Sequence, residues 1–221
     1  MTDEVVLLDF WPSPFGIRVR IALAEKGIKY TYIEEDLMSL KKSPLLLQMN
    51  PVQKKIPVLI HNGKTIFESL IAVQYIDEVW NDRSPLLPSD PYQRSQARFW
   101  AEYVDNKIYS IGRNIYTKKG EEQEVAKKEF IDTLKLLEEQ LEEKSYFGGD
   151  KFGFVDISLI PFYSRLKVFE TFGNLNLESE CPKFIAWAKR CMQIESVSKS
   201  LPDQDKIYEF IVDMRKLLGI E

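Results

Sequence analysis

The chain has 221 residues, of which 44% are hydrophobic and 29% charged, with a net charge of -4. This is the composition of an ordinary globular protein, long enough for one large domain or two small ones. The acidic balance excludes a binder that works by neutralising phosphates, and no apolar run approaches the ~20 residues of a membrane span. The stretch "MTDEVVLLDF" opens with two acids and no basic run, so it does not read as a secretory leader, and the cytoplasm is expected. Cys181 and Cys191 match neither a CxxC motif nor a metal-ligand pair and are expected as buried free thiols. One histidine, His61, leaves a histidine-based metal site or a Ser-His-Asp triad with almost no material.

Taken in chain order, the first ~80 residues alternate strand and helix signals. "VVLLDF" (5–10) is a short apolar run of β-type residues, consistent with a buried strand. "FWPSPFGIR" (10–18) then places Ser13 between two prolines, at the N-cap of a helix running from Pro14 to Lys26 and stopped at Gly27. "KYTYIEED" (29–36) is a second strand and "SPLLLQMNP" a short helix bounded by prolines. "IPVLI" (56–60), "HNGK" and "TIF" form a hairpin, because Asn62-Gly63 is a pair that accepts the two positive φ angles of a tight turn. Leu70, Val73, Ile76, Val79 and Trp80 recur at helical spacing from Ser69 onward.

Residues 81–91 hold three prolines and no helical period, and read as a linker. Everything beyond is helical. Asp90, Pro91 and Gln93 form an N-terminal capping pattern, followed by Ala97, Trp100, Tyr103, Val104 and Ile108 on one face. Residues 121–144 predict a long charged helix with a stripe of Phe130, Leu134, Leu137 and Leu141, supported by Glu124 and Lys128 at i,i+4. "GFVDISLIPFYSRLKVF" (153–169) is apolar around Asp156 and predicts the central buried helix, with Gly153 as N-cap and Asp156 as its N3 acid. "CPKFIAWAKRCM" and "DKIYEFIVDMRKLL" supply two more helices.

The order β-α-β, connecting helix, β-β-α resembles the thioredoxin-like arrangement: a mixed four-stranded sheet with a parallel βαβ unit and an antiparallel hairpin. That resemblance implies a cis Ile56-Pro57 bond beside the ligand. A thioredoxin-like domain (1–80), a linker (81–91) and an all-α helical domain (92–221) are the plan of cytosolic glutathione transferases. "LLDFWPSPFGIRVRIALAEKGIKY", "NPVQKKIPVLIHNGKTIFESLIAVQYIDEVW", "LLPSDPYQRSQARFWAEYVD", "YFGGDKFGFVDISLIPF" and "CPKFIAWAKRC" resemble the plant tau class of that family over essentially the whole chain.

The resemblance implies conjugation of the glutathione thiolate to apolar electrophiles, with reduction of hydroperoxides by the same thiolate and detoxification of xenobiotics such as herbicides. Glutathione is then a co-substrate, and no cofactor or metal is implied. Ser13 would donate a hydrogen bond to the glutathione sulfur, beyond its capping role. Arg18, about one turn farther along, either adds positive potential or is a surface salt-bridge residue. Glu68 and Ser69 would take the γ-glutamyl end, the serine and helix N–H groups holding the carboxylate and Glu68 the ammonium. Ile56, before Pro57, would pair its backbone with the cysteinyl part like an added strand. Lys42 and Lys55 match lysines that grip the glycine carboxylate, with Lys41 an alternative to Lys42 within "MSLKKSP". Gln53 stands where many family members carry histidine. Asp105 matches an acid that reaches across a homodimer interface to the γ-glutamyl amine.

For the electrophile, expected between the domains, the candidates are Phe10, Trp11 and Phe15 from the first half. Tyr109, Arg113 and Tyr116, at i, i+4 and i+7, join them with Arg165, Phe210 and Met214. Tyr116 and Arg165 replace tryptophans common in the class, which implies a wider or more polar pocket. Two other readings compete. A thiol transferase or dehydroascorbate reductase of this fold needs cysteine where Ser13 stands. A noncatalytic carrier of apolar ligands would show loss of Ser13 or of Glu68-Ser69, and both are intact.

Overall fold

A computed structural model describes residues 3–38 and 41–220. The chain divides into two compact units, Met1–Leu87 and Pro88–Glu221.

The first unit contains β1 (Val5–Asp9), α1 (Pro14–Glu25), β2 (Thr31–Glu34), α2 (Pro44–Met49), β3 (Val58–His61), β4 (Lys64–Ile66) and α3 (Ser69–Val79). The four strands form one mixed sheet in the order β2-β1-β3-β4. β1 pairs parallel with β2 and antiparallel with β3, and β3 turns back into β4. The turn is Asn62-Gly63, and both residues have positive φ (49° and 77°), as a tight primed turn demands. Side chains alternate across the sheet. Leu8, Val58 and Ile60 pack with Leu46 of α2 on one face. The alternation puts Val5, Leu7 and Asp9 on the opposite face, and Asp9 meets the backbone of α1 there. The Ile56-Pro57 bond is cis.

Part of the stretch expected as a linker is bonded to this unit. Lys26 is fully buried, lies 2.7 Å from Asp77 Oδ1 and donates to the Ser84 carbonyl at 2.9 Å. Asp77 in turn accepts the backbone N–H groups of Leu86 and Leu87 at 2.9 and 3.0 Å. Arg83 donates back to the Lys26 carbonyl at 2.8 Å. Proline spacing alone does not reveal these long-range bonds, so the stretch reads as looser than it is.

The second unit is helical: α4 (Pro91–Thr117), α5 (Glu121–Leu141), α6 (Phe154–Leu159), a 3-10 helix (Ile160–Arg165), α7 (Leu166–Gly173), α8 (Leu177–Glu180), α9 (Pro182–Cys191), α10 (Glu195–Ser198) and α11 (Gln204–Leu217). The stripe of Phe130, Leu134, Leu137 and Leu141 is buried as the period predicts, and Phe130 meets Phe169 of α7 at 4.7 Å between ring centroids. Asp90 caps α4 by accepting from Gln93 N at 2.9 Å. On α4 the fully enclosed positions are Ala101, Val104, Ile108 and Ile115, whereas Ala97, Trp100 and Tyr103 are half-buried.

Two expectations are corrected here. The segment 153–169 is not one helix: Pro161 has no N–H to continue an α ladder, and the chain passes through a 3-10 turn before α7. The ion pair on α5 joins Lys127 to Glu124 at 2.9 Å, an i,i+3 pair in place of the expected Glu124–Lys128 pair. Asp156 behaves as expected at the start of α6. It is fully buried and accepts from Gly153 N at 3.0 Å, Phe147 N at 3.1 Å and Trp187 Nε1 at 2.8 Å. Burial raises its pKa to about 6, with these donors opposing the rise. Cys181 and Cys191 are both buried and free. Burial raises both thiols, Cys181 to about 12, so neither is a nucleophile at neutral pH.

Candidate active site

Ser13 sits where the chain leaves β1 and enters α1. Pro14 fixes the first helical φ, and Ser13 Oγ accepts from Gly16 N at 3.3 Å. The Ser13 N–H donates to the Phe10 carbonyl at 2.8 Å and closes a tight turn around Trp11 and Pro12. Accepting through a lone pair leaves the hydroxyl its own proton to donate. The capping bond therefore does not consume the donor that an anion would use. The N-terminus of α1 supplies positive potential at the same place.

Arg18 is fully buried, so it is not the surface salt-bridge residue that one sequence reading allowed. Its Nη1 donates to Ser69 Oγ at 3.0 Å, and its guanidinium stands over the Phe15 ring at 5.2 Å. This links α1 to the first residue of α3. Ser69 is itself buried, and its preceding residue Glu68 adopts φ 63°, ψ 120°. A non-glycine residue held there carries backbone strain of order 1–3 kcal/mol, typical of ligand-contacting positions. Glu68 is exposed and does not cap α3 with its side chain.

Lys42, Lys55 and Gln53 are exposed, and Lys42 Nζ donates to the Lys54 carbonyl at 2.6 Å. Lys41 is exposed as well, while Ser39 and Leu40 of the same stretch lie outside the described residues. Sequence reasoning missed Asn50. It is buried, its amide donates to the Lys55 carbonyl at 2.9 Å, and its Oδ1 accepts from Gln53 N at 3.1 Å. It thereby shapes the loop that presents Lys55, Ile56 and the cis Pro57. An asparagine after a short helix was the available signal, since its side chain readily closes a local turn.

Phe10 and Pro12 are buried next to Ser13, with Trp11 and Phe15 half-buried. In the second unit, Tyr116 and Arg165 are buried and hydrogen-bonded to each other, and the Tyr109 phenol lies near both. Burial raises the Tyr116 phenol and lowers the Arg165 guanidinium, but an arginine stays charged at any physiological pH. Arg113 adds a further positive charge beside Tyr116. Arg215 of α11 donates to the Tyr116 carbonyl, and half-buried Phe210 and Met214 lie on the same helix. Asp105, on α4, is half-buried. Among the described residues no three His, Cys, Asp or Glu side chains are grouped to hold a metal ion. No helix among them is long and apolar enough to cross a membrane.

Residues 3–78 match the family model for the glutathione S-transferase N-terminal domain, and residues 92–190 match that for the glutathione S-transferase C-terminal domain. The chain belongs to the glutathione S-transferase family. It is 66% identical over 220 residues to the Nicotiana tabacum protein named "Probable glutathione S-transferase parC", covering 99% of each chain. Rice GST1 (OsGSTU1), solved in complex with glutathione, superposes with a TM-score of 0.93 at 44% identity, covering 98% of each chain. The tau class glutathione S-transferase of mango, Mangifera indica, gives a TM-score of 0.88 at 43% identity, covering 94% of this chain and 96% of that one. Class and activity follow. This glutathione S-transferase is a tau-class enzyme with a thioredoxin-like N-terminal domain and an all-helical C-terminal domain.

Proposed function

We propose that this glutathione S-transferase holds glutathione as a thiolate through the Ser13 hydroxyl and directs the sulfur at apolar electrophiles, with hydroperoxides reduced by the same anion. The observation that carries the reading is the Ser13 cap, a hydroxyl at the positive end of α1 with its proton still available. A thiol of ordinary pKa about 8.5 is only a few per cent ionised at neutral pH. Bringing it to about 6.5 takes about 2.7 kcal/mol of preference for the anion. One hydrogen bond to a charged acceptor and the end of a helix supply energies of that size. Serine is the donor here and not the nucleophile, since no base stands beside it among the described residues.

Glu68 and Ser69 take the γ-glutamyl end, and the α3 N–H groups favour its carboxylate. Arg18 acts beside them by orienting the Ser69 hydroxyl. The Ile56 backbone pairs with the cysteinyl residue ahead of Pro57, and Lys42 and Lys55 meet the glycine carboxylate. For the second substrate, the candidate contacts of the first unit are Phe10, Trp11 and Phe15; those of the second unit, taken by itself, are Tyr109, Arg113, Tyr116, Arg165, Phe210 and Met214. The buried Arg165 gives that substrate's surroundings a positive charge and fits a pocket more polar than a tryptophan would line. The physiological role is detoxification of xenobiotics such as herbicides, in the cytoplasm. Two unbridged cysteines suit a reducing compartment. The working form is a homodimer in which Asp105 reaches the glutathione of the other subunit. Exposed Tyr92 and Phe99 on α4 favour such an assembly.

The test is conjugation of glutathione to chlorodinitrobenzene by the wild type and Ser13→Ala, with the pKa of the bound thiol read from thiolate absorbance. The alanine variant is expected to lose about a hundredfold in kcat/KM and to show a raised thiol pKa. Unchanged turnover overturns the role of Ser13. Disulfide exchange faster than conjugation favours a thiol transferase, and ligand uptake with no turnover favours a carrier.

A further inference from the structure

Beneath the Ser13 turn lie two charges that the reading above does not use. Asp9 ends β1 on the face that meets α1 and is completely buried. Its carboxyl group is pressed against Gly16, where a Cβ would lie 1.7 Å from Asp9 Oδ1. Gly16 is also the residue whose N–H caps onto Ser13 Oγ. The partner of Asp9 is Arg20, two turns along α1, with Nε 3.3 Å from Asp9 Oδ2. The other arm of the same guanidinium, Nη2, donates to the Trp11 carbonyl at 2.8 Å. The Trp11 N–H donates to Glu34 Oε1 at 3.1 Å, and the Tyr32 hydroxyl bonds the second Glu34 oxygen. Both backbone polar groups of Trp11 are thus taken by side chains, one from α1 and one from β2.

We infer that Asp9 and Arg20 are positioning residues for catalysis: Asp9 orients the Arg20 guanidinium, Arg20 holds the Trp11 carbonyl, and the turn so fixed sets the direction of the Ser13 hydroxyl. A buried ion pair adds little stability compared with apolar side chains of the same volume. What apolar residues cannot supply is a directional donor for a backbone carbonyl two residues before the serine. A hydroxyl that stabilises an anion must be placed to within about half an ångström. The turn's own closure, the Ser13 N–H to Phe10 carbonyl bond, leaves Trp11 at its tip, where Arg20 and Glu34 fasten it. A lysine in place of Arg20 would keep the charge but not the planar fork that serves Asp9 and Trp11 together.

The charge around Asp9 supports this assignment. Burial raises Asp9 to about 7, Arg20 opposes that rise from α1, and Glu34 adds to it from β2. The phenols of Tyr30 and Tyr32 lie on the same side, both raised by burial. From β3, His61 pairs with Val5 at the far end of β1. Without Arg20 the main influence opposing that rise is lost, and Asp9 is pushed further up.

This inference rests on Ser13 as the sulfur's donor, and the experiment separates the two. The full-length Arg20→Met, Arg20→Lys and Ser13→Ala proteins are compared for conjugation of chlorodinitrobenzene at about pH 6.5 and about pH 9, and for the thiol pKa of bound glutathione. Both Arg20 variants are expected to raise that pKa by about one unit. Their kcat/KM is then about fivefold lower at the acid pH and nearly restored at the alkaline pH, where the bound thiol is ionised in either protein. A residue that merely supports the fold would lower activity by the same factor at both pH values. Arg20→Lys keeps the charge beside Asp9 and carries the test if Arg20→Met does not fold. If Ser13→Ala raises the thiol pKa while Arg20→Lys leaves it in place, the positioning role is overturned and the serine role stands. If Ser13→Ala leaves it in place, both fall.

Discussion

Arg18 Nη1 donates to Ser69 Oγ at 3.0 Å, a bond between the first helix and the start of the third, 51 residues away in sequence. The guanidinium is wholly enclosed, so its bond fixes the Ser69 hydroxyl from the inside of the fold. Arg18→Met should therefore raise the KM for glutathione about tenfold, equivalent to about 1.4 kcal/mol of binding, with a smaller effect on kcat. Steady-state kinetics with glutathione varied at saturating chlorodinitrobenzene check this. A fall in kcat at unchanged KM would remove Arg18 from the binding role.

Gly16→Ala should be among the most damaging single-methyl additions in the first unit. The new Cβ would lie 1.7 Å from Asp9 Oδ1 and 2.1 Å from Asp9 Cγ, in a position with no room to yield. Overpacking of this kind costs on the order of 1–3 kcal/mol. Urea denaturation should show a lower midpoint with an unchanged slope, and activity should fall because the shifted residue is also the cap donor to Ser13.

Lys26→Met should destabilise the first unit by about 3–5 kcal/mol, because it leaves Asp77 without its cation in a largely buried setting. Lys26→Met combined with Asp77→Leu should recover part of that loss. It cannot recover all of it, since Asp77 also holds the Leu86 and Leu87 N–H groups. Equal stability of the single variant and the wild type in chemical denaturation would contradict this account of the linker.

The pH dependence of stability should carry the signature of Asp9. Its pKa is about 7 in the folded chain and near 3.9 when unfolded, so between these values the folded state binds more protons. Stability from this group is therefore fully present below about pH 4 and falls as pH rises, by up to ~1.4 kcal/mol per pH unit, until about pH 7. Asp9→Asn removes the titration. The stability difference between wild type and variant should drift in favour of the variant across that window and be flat above it. A difference that does not change between about pH 4 and pH 7 would show that Asp9 is ionised throughout.

Most of the site's local geometry was legible in the sequence. Pro14 after Ser13 specified a capped helix start, and Asn62-Gly63 specified a two-residue turn. Asp156 three residues after Gly153 specified the acid that caps α6. Each is a statement about a few neighbouring residues, whose allowed φ values and hydrogen bonds do not depend on the rest of the chain. The misreadings came where two signals competed. The apolar run through "SLIPFYSRLKVF" suggested a single helix, and Pro161 broke it. Glu124 could reach either Lys127 or Lys128, and side-chain direction on the folded surface selected Lys127.

By itself the sequence determined the order of elements in the first unit, the four longest helices of the second, the caps and the turn, because hydrophobic period and backbone sterics act locally. The likeness of whole segments to the glutathione transferases then carried the roles proposed for Ser13 and for Glu68-Ser69. Only the tertiary structure decided which polar residues were buried together. Arg18 could not be told from a surface arginine, nor Lys26 from an ordinary C-terminal helix lysine. Asp9 looked like the end of a strand. Their roles depend on partners far along the chain: Ser69 for Arg18, Asp77 for Lys26, and the Gly16 backbone and Arg20 for Asp9. Burial turns such pairings from optional to necessary, since a polar group without water must find its partner inside the fold.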